Sequence, residues 1–186
     1  MDRRELLTLG VGAAAFVLAG HGPAVADLEP DAMWSIYRRY RLLIVGQRDD
    51  ETSGALAGAA VDVLARFLPA SRARMARAAD ARRVGVLIGT GQQDVAIMAT
   101  ENAEALFLAR PPFDDIRNVP LRGLVSFGSH ALVCRQDFTD RHGYLLAQTL
   151  TAHNDALPAF AGSPQGRVPA HRGSHAFFAG EAMPDG

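Results

Sequence analysis

Lysine is missing from this chain, and all 19 of its basic residues are arginine. A phosphate loop closed by lysine is therefore excluded. Cysteine occurs once, at Cys134, so no internal disulfide can form and paired-cysteine motifs are ruled out. Cys134 ends the apolar run 131–134, which predicts a buried, inert thiol. Excess charge is missing too: the formal net charge is −1. Nothing in that balance suggests general binding to nucleic acid or to a membrane surface. Gly-x-Ser-x-Gly and a dinucleotide fingerprint do not occur, and Gly89-Thr90-Gly91 is too short to stand for either. No motif implies a cofactor, and the chain reads as a non-enzyme.

The N-terminus carries a pattern of its own. Arg3-Arg4-Glu5-Leu6-Leu7 precedes the apolar stretch 10–20, and Ala24-Val25-Ala26 follows it. A charged start, a short apolar core and an Ala-x-Ala ending predict an export signal over residues 1–26, cleaved near Ala26. Its adjacent arginines are of the twin-arginine kind. The apolar core is shorter than the ~20 residues of a spanning helix, which argues against a membrane anchor. Residues 27–186 are then expected as a single periplasmic α/β domain, for which 48% hydrophobic residues supply a core.

The rest is organised around residues 42–68. Residues 42–45 (Leu-Leu-Ile-Val) are a short apolar run stopped by Gly46, which predicts a buried strand. Residues 47–53 read as a polar loop, and 54–68 place Leu56, Ala60, Val63, Leu64 and Phe67 on one helical face. A strand, a loop and a helix N-terminus offer unpaired amides to a small anion or polar ligand. Asp49, Asp50 and Glu51 fit helix-start carboxylates better than anion ligands, with Thr52 or Ser53 as the cap.

Before this unit, residues 28–40 hold Met33, Trp34, Ile36, Tyr37 and Tyr40, as an amphipathic helix or a leading arm packed on the sheet. After it, propensity leaves 71–79 and 80–90 open between strand and helix. Residues 94–99 predict a strand, 100–102 its C-terminal loop, and 103–109 a short helix stopped by Pro111-Pro112, so the strand–loop–helix unit repeats. Residues 121–136 are extended, interrupted at Gly128-Ser129 by a bulge or tight turn. A helix over 140–157, a Gly/Ser/Pro linker over 158–167 and an apolar helix ending 168–178 complete the chain.

Several of these pieces follow one another in a familiar order. They are the exported start, the strand and loop at 42–53, the Gly54-Ala55-Leu56-Ala57-Gly58-Ala59-Ala60 helix, the stretch 87–99 ending in Asp94-Val95-Ala96, and the strand 121–135. The last is Val168-Pro169-Ala170-His171-Arg172-Gly173, running to Phe177-Phe178 and Glu181. Their order over most of the mature chain resembles the TAXI-type solute-binding proteins of TRAP transporters, a branch of the periplasmic type 2 binding fold. The resemblance implies a helix at 80–90. It also implies a three-layer single domain with a mainly parallel sheet, like one lobe of such a protein. It departs from the family in two places. Family members have two lobes, and after Arg135-Gln136-Asp137 this chain has only a short segment before its next helix. The family's first loop is rich in glycine, serine and threonine, where this chain has Gln47-Arg48-Asp49-Asp50-Glu51.

The function expected from the resemblance is non-enzymatic capture of a small polar or carboxylate-bearing metabolite for a TRAP-type membrane component. Ligands of parallel α/β sheets gather beyond the strand C-termini. The expected site is therefore Gln47, Arg48, Thr52 and Ser53 on the first loop, Thr100, Glu101 and Asn102 on the second, and Ser126, Ser129 and His130 nearby. Arg48 would grip a carboxylate with its planar fork. Thr52, Ser53, Thr100 and Asn102 would add neutral hydrogen bonds. The rival expectation is an interaction module that has lost solute capture and docks another periplasmic protein or a second copy of itself through an apolar face. His171 and His175, four apart, would share a helix face suited to a metal, but Gly173 weakens that helix and no further ligands are spaced for it. Ser126, Ser129 and His130 are close in sequence, but alternation along a strand predicts no catalytic triad from them.

Overall fold

The computed structural model describes residues 41–116 and 119–185. The expected export signal and the segment 28–40 lie outside the described residues. The chain runs β1 (Leu43–Gln47), α1 (Glu51–Phe67), β2 (Arg74–Ala78), α2 (Ala81–Gly89), β3 (Val95–Ala99), α3 (Thr100–Phe107), β4 (Leu121–Phe127), β5 (His130–Arg135), α4 (Asp140–Ala152) and α5 (Arg172–Phe178). Among the described residues no helix is long and apolar enough to cross a membrane.

One five-stranded sheet takes the order β2-β1-β3-β5-β4. β1 lies parallel to both β2 and β3. β5 is antiparallel to β3 and to β4, so the sheet is mixed rather than mainly parallel. The cause lies in residues 121–136, which fold back on themselves instead of running through. Gly128 takes φ +67, the left-handed conformation that a two-residue hairpin loop requires. The returning strand then slots between β3 and β4.

Alternating side chains feed a core on each face of the sheet. Ile44, Val95 and Ile97 pack with Leu56 and Leu64 of α1 and with Leu146 and Leu150 of α4. Val45, Ala96 and Met98 pack with Val84 and Ile88 of α2, Leu106 of α3 and Phe113. Helices on both faces make the domain three layers, α/β/α.

Where propensity left the chain open, edge position and capping decide. Residues 74–78 form the edge strand β2, in register with β1 from Leu43↔Arg74 to Gln47↔Ala78. Its exposed Arg74 and Arg77 are charges of the kind that discourage further strand pairing. Residues 81–89 are helical because Asp80 accepts the Arg83 amide at 2.7 Å as an N-cap, while Val84 and Ile88 are fully buried.

Two expected loops are shorter than their sequence suggested. α1 begins at Glu51, and its cap is Asp50 rather than Thr52 or Ser53: Asp50 Oδ1 accepts the Ser53 amide at 3.0 Å. Thr100, Glu101 and Asn102 are the first turn of α3, not a loop. The Thr100 amide donates to Ser129 O at 2.9 Å, so the end of β3 is tied to the hairpin turn and the helix starts at once.

The expected linker is part of the sheet's border. Ser126 N donates to Gly162 O at 2.9 Å, and His171 N donates to Gly123 O at 2.8 Å, which covers the β4 edge. Gly123 permits this approach, since a Cβ there would lie 2.8 Å from Pro164 Cβ.

Candidate functional site

The carboxyl ends of β1 and β3, the N-termini of α1 and α3 and the β4–β5 turn meet at one end of the sheet. The expected ligand residues do collect at this end, but in different states. Ser53 is fully buried and its hydroxyl donates to Ile97 O at 2.7 Å while accepting the Gln47 amide at 3.2 Å. It ties α1 to β1 and β3, and its full burial takes it out of reach of a ligand. Ser126 is buried in β4, and both its backbone groups bind the 161–162 segment. Thr52 and Glu101 are exposed, and Asn102 is half-buried. The Thr100 hydroxyl is buried without a hydrogen-bond partner.

Three of the polar side chains form a chain of hydrogen bonds. His130 Nε2 lies 2.8 Å from Asp50 Oδ2, and His130 Nδ1 lies 3.0 Å from Ser129 Oγ. Ser129 sits on the turn rather than in a strand, so the alternation rule that separates neighbouring side chains does not apply to it. Asp50 thus serves two partners, one oxygen capping α1 and the other holding His130. Burial pushes the Asp50 carboxyl up. The Ser53 amide, the hydrogen bond and charge of His130 and the Thr52 amide outweigh that and hold it below its ordinary 3.8. Asp50 was read from sequence only as a helix-start carboxylate. Its pairing with a residue 80 positions away left no local signal.

On the other side of the α1 N-terminus lies an open depression of about 650 Å³. It is lined by Gln47 and Arg48 at the end of β1, Glu51 and the small residues Gly54, Ala55 and Gly58 of α1, and Met75 and Arg77 of β2. Gln47 is only 3% exposed, yet its amide Nε2 has no hydrogen-bond partner. Arg48 is exposed, its amide held by Ala78 O at 3.0 Å so that the side chain leaves the strand end. Arg77 was not expected here. Its register opposite Gly46 and its i, i+2 relation to Met75 place both side chains on the depression side of β2.

No protein-family model, curated protein or solved structure matches this chain. The site is therefore read from its own geometry.

The histidine pair at the opposite end has a structural account. His171 is the N-cap of α5; its Nε2 lies 2.7 Å from Phe138 O and its Nδ1 accepts the Gly173 amide at 3.3 Å. Both ring nitrogens are therefore committed inside the protein, and burial lowers the His171 pKa from its ordinary 6.5, against the Phe138 carbonyl and Asp140, which raise it. His175 is exposed on α5. Cys134 is fully buried, and burial pushes its thiol well up, which makes it inert.

Proposed function

We propose that this chain is a periplasmic binding protein for a small polar or carboxylate-bearing metabolite, related to the receptors of TRAP transporters and working with a TRAP-type membrane component. The observation that carries this reading is the buried Gln47 amide. A donor left unpaired inside a protein costs about 1–3 kcal/mol, and a ligand oxygen in the depression would recover that. Arg48 and Arg77 both line the same depression, where planar guanidinium forks suit a carboxylate. Thr52 and Glu101 face solvent at the same end of the sheet but do not line the depression.

The test is calorimetric titration of the mature protein with a panel of small mono- and dicarboxylates. Binding by one of them, weakened on the order of 100-fold or more by Arg48→Ala, is the expected result; two lost charge-assisted hydrogen bonds amount to about 3 kcal/mol or more. Affinity unchanged in Arg48→Ala would overturn the assignment.

A second reading is favoured by the openness of the same surface. The depression is open to solvent, and Phe67, which lies outside it near the other end of α1, is 42% exposed. An interaction module that docks a periplasmic protein or a second copy would use such a surface. Its signature is a stable complex in place of a bound small molecule.

A further inference from the structure

The Asp50–His130–Ser129 chain lies outside the Arg48 depression, and the solute contacts proposed above do not use it. Its outer member is exposed and its middle member the most buried. Ser129 is exposed at the tip of the hairpin, the His130 side chain is 9% exposed, and that of Asp50 is 24% exposed. A carboxylate can only accept, so Asp50 fixes the imidazole proton on Nε2 and leaves Nδ1 free to accept the Ser129 hydroxyl proton. A hydroxyl, a base within hydrogen-bond reach and a third group orienting the base are the parts of an activated nucleophile.

Donors for a developing oxyanion stand beside it. α3 has Ala99 as its N-cap and no side chain capping it, so the first-turn amides of Glu101 and Asn102 have no capping partner. The preceding amide, of Thr100, already reaches Ser129 O at 2.9 Å, so this helix end is held against the turn. The Thr100 hydroxyl, buried and unpartnered, belongs to the same corner.

We propose that Ser129 is an acylatable nucleophile, with His130 as its base and Asp50 positioning that base, and that this corner hydrolyses small activated esters. Ser129 Oγ bonds to the ester carbonyl carbon as its proton passes to His130 Nδ1. The carbonyl oxygen, now negative, takes hydrogen bonds from the α3 end. The bond to the alkoxy or aryloxy group breaks, and that group leaves with the proton from His130. Water then attacks the acyl-serine, giving its proton to His130 Nδ1; the acid departs, and the proton returns to Ser129 Oγ. Ester and water become acid and alcohol, with no other reactant needed. This inference departs from the expectation of a non-enzyme and is independent of the Arg48 reading.

The test treats the protein with an alkyl fluorophosphonate, maps the adduct by mass spectrometry, and follows p-nitrophenyl acetate turnover in parallel. The expected result is a phosphonyl group on Ser129 in preference to the exposed Ser163, with turnover lost in Ser129→Ala. Asp50→Asn retains a good α1 cap while removing the charge, and His130→Gln removes the base. Each should slow labelling on the order of 100-fold, the lower end of what a positioned base supplies. Circular dichroism checks that the variants fold, and if His130→Gln does not, Asp50→Asn decides alone. Equal labelling of Ser129 and Ser163, turnover retained in Ser129→Ala, or labelling of Ser129 unchanged in Asp50→Asn would overturn the proposal. The last result would assign the Asp50–His130 contact a purely structural role.

Discussion

Asp50 joins two parts of the domain through one carboxylate, capping α1 with Oδ1 and holding the hairpin through His130 with Oδ2. Asp50→Ala removes both contacts and should cost about 1 kcal/mol for the cap alone, with more from the stranded imidazole. Asp50→Asn can still cap, so its denaturation midpoint should fall between those of wild type and Asp50→Ala. His171 makes a prediction in pH. Its folded-state pKa is depressed below 6.5, so the unfolded chain takes up a proton that the buried ring resists. Stability should therefore be full above about pH 6.5 and decline as pH falls below that value. Urea melts from pH 8 to pH 5 measure this, and His171→Asn should flatten the slope. A slope in the variant equal to that of the wild type would mean that another group is responsible.

At the scale of elements, α4 and α5 depend on two glycines that let them touch. A Cβ on Gly173 would collide with Asp140 O, and one on Gly143 would collide with the His171 ring. Gly173→Ala should destabilise the domain by about 3 kcal/mol, the upper end of ordinary overpacking, as read from its chemical denaturation midpoint. Gly58→Ala is the contrast, since nothing lies within 4 Å of a Cβ there. It should be neutral or slightly stabilising, because alanine is the better helix former. Which elements could be read from the chain follows the same logic. β1, β3 and the buried face of α1 declare themselves by apolar periodicity, whereas residues 80–90 fitted a strand and a helix alike. Asp80 marks the start of α2, and Gly128 marks the hairpin. Periodicity could not show that β5 lies between β3 and β4, since strand order is decided by contacts distant in sequence. Nor could it show that α3 starts directly at Thr100, which depends on a hydrogen bond from the hairpin turn.

At the scale of the whole molecule, the gathering of residues 47–53 and 100–102 at one end of the sheet was legible, while the state of those residues was not. Strand C-termini followed by helices pointed to residues 47–53 and 100–102, and the hairpin brings Ser129 and His130 to the same end. Ser53 looked like an open donor and is instead a clamp between strands. Arg77 looked like one arginine among several and shares the depression with Arg48. Native mass spectrometry of the protein, purified gently from the cells that make it, tests the binding account most directly. The account predicts a monomer carrying a small added mass that disappears in Arg48→Ala. A ligand-free homodimer, or a complex with a second protein, would contradict it and assign the open surface to docking.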